Sequence, residues 1–152
     1  MKRKVRYTKK QKKEIGRKIK AVSYTDLRKR LKRVFSLYIR KSRPKHCELH
    51  HRANQMGVEI PVKCSGSIQC CHKIPVSRSR SIEFDERNVY RGCSSVNMWE
   101  PHNRDLWMAM WPKVWPEDVQ YLALAQKAGQ KKTADDLKTM LVYYESKLSE
   151  FD

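Results

Sequence analysis

From residue 24 to residue 40 the apolar positions recur at helical spacing. Leu27, Leu31, Val34, Phe35, Tyr38 and Ile39 fall at i, i+4, i+7, i+8, i+11 and i+12, the stripe of an amphipathic helix of about four turns. Ser23-Tyr24-Thr25-Asp26 supplies its N-cap, and Pro44 marks its end. From Lys45 to Cys70 periodicity is weak, so loops and short strands are predicted, with a knuckle at Cys47-Glu-Leu-His50 and an apolar run from Val58 to Val62. Ile68 to Val76 reads as one strand, Ser77 to Ser81 as a polar loop and Ile82 to Tyr90 as the return segment. Asn97 to Met110 reads as a helix stopped at Pro112. Two helices complete the pattern. One starts near Pro116-Glu117-Asp118; the other is capped by Thr133 with Asp136 three residues later and carries the stripe Leu137, Leu141, Tyr144 and Leu148. There is no internal repeat.

The chain has 152 residues, enough for one modest core. No apolar run approaches the roughly 18 residues that span a bilayer, and the start lacks the apolar stretch of a secretion signal. A cytoplasmic protein with no membrane partner is predicted. Charge sharpens this picture. Of 34 Lys and Arg, 20 lie in residues 1–45 beside only Glu14 and Asp26, while the remaining 14 are matched by 14 acids, so the whole net charge of +18 sits in the first 45 positions. Such an arm most often meets a nucleic-acid backbone. The candidate contacts are Lys9, Lys10, Lys12, Lys13, Arg17 and Lys18 in the arm, Arg28, Lys29, Arg30, Lys32 and Arg33 on the helix, and Arg78 and Arg80 in the polar loop. An anionic membrane is the rival, but no Trp precedes Trp99 to anchor the arm in a bilayer interface. The four tryptophans, Trp99, Trp107, Trp111 and Trp115, suit core packing better than base stacking.

Five cysteines, Cys47, Cys64, Cys70, Cys71 and Cys93, share the middle of the chain with all five histidines. The odd count without a secretion signal favours metal ligation or buried thiols over disulfides. The segment Ile68-Gln-Cys-Cys-His72, followed by Asn88, Cys93, Asn97 and Pro101-His102-Asn103, offers one His at a strand end, an Asn sixteen residues on and another Asn where a helix begins. That layout suits phosphodiester hydrolysis, in which an imidazole takes a proton from water while a hard divalent ion stabilises the phosphate and the leaving oxygen. Asn88 and Asn97 cannot act as bases, but an amide can orient the His or offer its oxygen to the ion. A lone His beside cysteines is also read as a structural ligand or a buried hydrogen-bond partner. Glu83, Asp85 and Glu86 read as solvent-facing charge rather than metal ligands.

The stretch from Ile68 to Asn103, with Phe84-Asp-Glu-Arg-Asn-Val, the interval from His72 to Asn88, the step from Cys93 to Asn97 and Asn103 six residues later, resembles the phage NinG (Rap) recombination nucleases, a branch of the HNH or ββα-metal endonucleases. The resemblance implies an α+β fold: a small ββα-metal core over residues 46–112, preceded by a basic arm and helix over 1–45 and followed by a helical tail over 113–152. It implies that His72 is the general base, that Asn88 holds the hairpin and orients it, and that Asn97 coordinates a catalytic Mg²⁺ or Mn²⁺. Cys71 stands where many HNH enzymes place an acidic ligand to that ion. Relatives hold a structural zinc with two Cys-x-x-Cys pairs; here the positions map to Cys47, His50, Cys93 and Val96. Val96 cannot bind metal, so Cys64, Cys70 or His102 must supply the fourth ligand, or a partly apolar core replaces the site.

The reading that follows is a metal-dependent endonuclease acting on branched or recombination-intermediate DNA in a phage-infected bacterial cell. RNA as a second substrate and a homodimer are left open. The alternative is a nucleic-acid-binding protein on a degenerate HNH scaffold without turnover, which Val96 and Cys71 favour.

Overall fold

The computed structural model describes Lys9 and residues 22–151. Helix α1 spans Tyr24–Ser42, with the Ser23 hydroxyl accepting from the Asp26 amide at 3.1 Å. That hydrogen bond satisfies one of the donors left free at a helix start. Leu27, Leu31, Phe35 and Ile39 are buried along one stripe, as the spacing predicts.

Helix α2, Glu48–Met56, occupies the stretch predicted as loops and short strands. Leu49 and Ala53 are its buried face, one turn apart, and Gly57 ends it at φ 66°, the left-handed conformation that glycine adopts without steric cost. Nine residues give too few apolar positions for a periodicity signal. The apolar run Val58–Val62 forms no strand.

Strands β1, Ile68–His72, and β2, Val89–Cys93, pair antiparallel, with Cys71 opposite Tyr90 and His72 opposite Val89. Both are shorter than predicted, and residues 82–88 are turns instead of a return strand. Asp85 N bonds Ile82 O and Asn88 N bonds Asp85 O, so polar local pairing replaces the ladder. Gly92 lets the hairpin close: a Cβ there would lie 2.6 Å from Cys71 Sγ and 2.9 Å from the Tyr90 ring.

Strand β2 runs directly into helix α3, Ser94–Trp99. The helix predicted over 97–110 is broken by the 3-10 turn Glu100–His102, and α4 then spans Arg104–Val114. Pro112 does not stop α4 but sits inside its last turn, where its missing N–H leaves the carbonyl four residues back without its helical donor. Helices α5, Pro116–Ala128, and α6, Ala134–Ser149, follow as the caps predict, with a full capping box between Thr133 and Asp136. The predicted boundary at 45/46 falls in the segment between α1 and α2, and that at 112/113 inside α4.

The result is an α+β fold whose hairpin lies between two apolar clusters. On one side Cys71 and Tyr90 pack with Trp107, Trp111, Trp115 and the buried residues of α2 to α5. Tyr90 stacks on Trp107 with ring centroids 5.6 Å apart, and Trp107 Nε1 donates to Lys73 O. The tryptophans therefore serve the core. On the other side α1 packs against α6, Phe84 and Val89, with Phe35 edge-on to Tyr144 at 4.9 Å. No helix among the described residues is long and apolar enough to cross a membrane.

Candidate metal centre and strand-end site

Cys47 and Cys93 are the N-cap residues of α2 and α3, and His50 lies in the first turn of α2. Cys64 arrives on the loop before β1. Gly66, at φ 79°, carries that loop against α3, since a Cβ there would fall 1.8 Å from Ser94 Oγ. The Ser94 amide and the Ser95 hydroxyl then bond Ser67 O and Ser65 O at 2.9 Å. The ligand atoms of Cys47, His50, Cys64 and Cys93 consequently lie within 4.8 Å of one another. A zinc tetrahedron with Zn–S near 2.3 Å has sulphur edges of about 3.8 Å.

His50 Nδ1 is 3.3 Å from Cys47 Sγ and 3.9 Å from Cys93 Sγ. Its Nε2 lies 2.7 Å from Val62 O; the carbonyl can only accept, so the proton is on Nε2 and the Nδ1 lone pair faces the sulphurs. Burial raises the Cys47 thiol pKa, and burial together with the neighbouring thiols pushes Cys64 up to about 12. Burial opposes ionisation of Cys93 too, but backbone hydrogen bonds from Val96 and Ser65 prevail and lower it. Three crowded thiols thus resist joint ionisation until a cation neutralises them, and the Cys₃His donor set fits a zinc-class ion. Cys64 takes the fourth place. Cys70 is on the α1 side of the sheet and His102 is exposed.

At the end of β1, the His72 Nε2–H donates to Glu83 O at 2.9 Å. Burial holds the imidazole pKa below its ordinary 6.5; Glu83 works against this and Lys32 adds to it. Nδ1 has no hydrogen-bond partner among the described residues, so a proton can be taken up there. Asn88 is fully buried. Its Oδ1 accepts from Ile74 N at 2.8 Å, and its Nδ2 donates to Ile74 O and Ile82 O at 3.1 Å. It staples the loop beside the carbonyl that grips His72.

Asn97 is exposed on α3, where its Nδ2 donates to Gln69 Oε1 at 2.6 Å and Cys71 Sγ–H donates to its Oδ1 at 3.7 Å. Gln69 and Cys71 share one face of β1, and the pleat sends His72 to the other, toward α1. The structure therefore ties His72 to the loop that Asn88 staples and bonds Cys71 to Asn97, without a hydrogen bond between the two groups. Burial and the nearby thiols raise the Cys71 pKa strongly, so the group is a neutral thiol and unsuited to a hard divalent ion. Gln69, which the sequence reading passed over, brings a second amide oxygen; its position two residues before Cys71 is the signal.

Of the three acids predicted to face solvent, Glu83 is buried, while Asp85 and Glu86 are half-buried. Glu83 is buried against Arg28, Asp85 accepts from Arg87 N and Tyr121 Oη, and Glu86 accepts from Tyr38 and Tyr144.

Among the candidate phosphate contacts, Arg28 is corrected: both arms of its guanidinium meet Glu83, at 2.8 and 2.9 Å. Arg30 pairs with Glu145. Lys29, Lys32 and Arg33 enter no ion pair among the described residues and line a groove with Ser36, Leu37 and Arg40. Lys9 is exposed, Arg78 lies 3.9 Å from Asp105, and Arg80 lines a cavity. Lys10, Lys12, Lys13, Arg17 and Lys18 lie outside the described residues. Compared with known proteins, the chain matches no family model, no curated protein and no solved structure.

Proposed function

We propose that the protein is a metal-dependent DNA endonuclease of the HNH type, acting on branched or recombination-intermediate DNA. The observation that carries this reading is the imidazole of His72, fixed through Nε2 by the Glu83 carbonyl beside the loop that the buried Asn88 staples through Ile74 and Ile82. In this role Nδ1 takes a proton from the attacking water. Lys29, Lys32 and Arg33 gather the backbone phosphates from the α1 side. Asn97 and Gln69 offer amide oxygens from the other side that would hold a Mg²⁺ or Mn²⁺, and such an ion would supply charge to the phosphate and the leaving oxygen. Zinc held by Cys47, His50, Cys64 and Cys93 would lock α2, the 64–67 loop and α3 around the hairpin.

One observation favours the second reading, a nucleic-acid-binding protein without turnover: the donors around Asn97 are all neutral. Cleavage of plasmid and four-way-junction DNA with Mg²⁺ or Mn²⁺ separates the two. His72→Ala retains binding while cleavage falls roughly 10²–10⁴-fold, and Asn97→Ala raises the metal concentration needed. An unchanged rate in His72→Ala eliminates the mechanism. Metal-independent silence of the wild type on every substrate leaves the binding protein.

A further inference from the structure

A cavity of about 660 Å³ opens between the start of α1, the 80–84 segment and the turn that joins α5 to α6, within the size range of small-ligand sites. Its floor is apolar, formed by the buried Phe84 and Leu137. Its charge is one-sided. Glu83 is its only acid and is already neutralised by Arg28. Arg80 and Lys131 are exposed and enter no ion pair among the described residues, and Lys132 Nζ donates to Ser81 O at 2.6 Å, leaving further protons free. Arg80 and Lys131, without an ion pair, and Lys132, which also feels the Asp136 carboxylate, therefore face a cavity with a low-dielectric floor, where an anion is held more strongly than on open surface.

The walls are built closely. Gly129 packs on Ser81 so tightly that a Cβ would lie 2.3 Å from Ser81 Oγ, which sets the turn bearing Lys131 and Lys132 against the segment bearing Arg80. Tyr24 and Thr25 complete the rim, a half-exposed ring and a hydroxyl beside the cations. Glu83 forms the back wall with its carboxylate while its carbonyl holds His72. The sequence just before Tyr24 brings 11 Lys and Arg in residues 1–20.

We infer that this cavity binds a phosphate group of a nucleic-acid strand, with the adjoining base against Tyr24, on the far side of Glu83 from His72. The inference rests on the nucleic-acid part of the function proposed above but not on turnover. Arg80, Lys131 and Lys132 supply the charge, and Thr25 a hydroxyl donor.

The test uses the full chain. Thymidine 3′,5′-bisphosphate, followed by amide NMR, shifts Thr25, Ser81, Lys131 and Lys132, and the shifts vanish in Arg80→Gln/Lys131→Gln. The same double variant binds a single-stranded DNA 20-mer about 10-fold more weakly, with a log–log salt slope shallower by about 1.4, or about 0.7 for each phosphate no longer neutralised. Lys138→Gln/Lys147→Gln removes equal charge from α6 and leaves affinity and slope in place. All four side chains reach solvent, and an unchanged melting temperature confirms folding. A 5′-phosphorylated strand that binds more tightly than its 5′-hydroxyl twin assigns the cavity to a strand end, and equal binding assigns it to an internal phosphate. Equal loss in the two double variants, or bisphosphate shifts confined to other residues, overturns the inference. Loss of cleavage in His72→Ala leaves these binding results untouched, so the two readings fail separately.

Discussion

The Cys₃His cluster and the end of strand β1 draw on the same 51 residues, from Cys47 to Asn97, yet they satisfy their polar groups differently. In the cluster every donor atom converges on one point, and the bond from His50 to Val62 O serves to aim the imidazole. At the strand end the polar groups converge on no common point: His72 is tied by one nitrogen, and Asn97 bonds only Gln69 and a neutral thiol. A closed set of soft donors stabilises a fold. Groups tied on one side and exposed on the other are able to act on something that arrives.

The strongest way to break this contrast is to remove the closure. Structural zinc in small domains contributes on the order of 10 kcal/mol of apparent binding energy. Protein purified without chelator should carry about one zinc per chain. Cys93→Ser should lose it, with a melting temperature lower by about 10 °C or more. Metal analysis that finds none, together with an unchanged melting temperature in the variant, makes the cluster an ordinary thiol core and removes the distinction. Asn88→Ala is next in size. It leaves Ile74 N and two carbonyls without their partner in the interior, a loss of about 2–4 kcal/mol by denaturant unfolding. The cleavage rate should fall with it, because the loop carrying the Glu83 carbonyl loses its staple at Ile82. Full stability in the variant would refute the stapling role.

The smallest effect is the pH response of His72. Its folded pKa lies below 6.5, so the unfolded chain takes up the proton first. The contribution of the neutral ring to stability is complete above pH 6.5 and declines as pH falls below that value. Melting temperatures between pH 7.5 and 5.5 should drop more steeply in the wild type than in His72→Gln, and the acid limb of cleavage should fall below pH 6.5. An acid limb centred above 6.5 would place the base elsewhere.

Much of this was legible in the chain, for identifiable reasons. The α1 stripe and the Thr133 capping box are local patterns, and both stand as the spacing predicts. Helix α2 was hidden because nine residues offer only Leu49 and Ala53 as its buried face, although Gly57 at its end was a readable stop. The choice of Cys64 over Cys70 and His102 depends on Gly66 and on serine bonds to α3 across about 30 residues, which no spacing rule encodes. Arg28 read as a phosphate contact because its partner, Glu83, lies 55 positions away. The split of His72 from Asn97 follows from strand alternation and was deducible once β1 was known to end at His72.

The pairing of α1 with α6 has a consequence for synthesis. The apolar stripe of Leu27, Leu31, Phe35 and Ile39 is covered by Leu137, Leu141 and Tyr144, which a ribosome makes about a hundred residues later. At roughly 5–20 residues per second, that stripe waits on the order of 5–20 s beside the most cationic part of the chain. During this interval the nascent protein presents an uncovered amphipathic helix, so chaperone binding before α6 emerges is an expected step in its maturation.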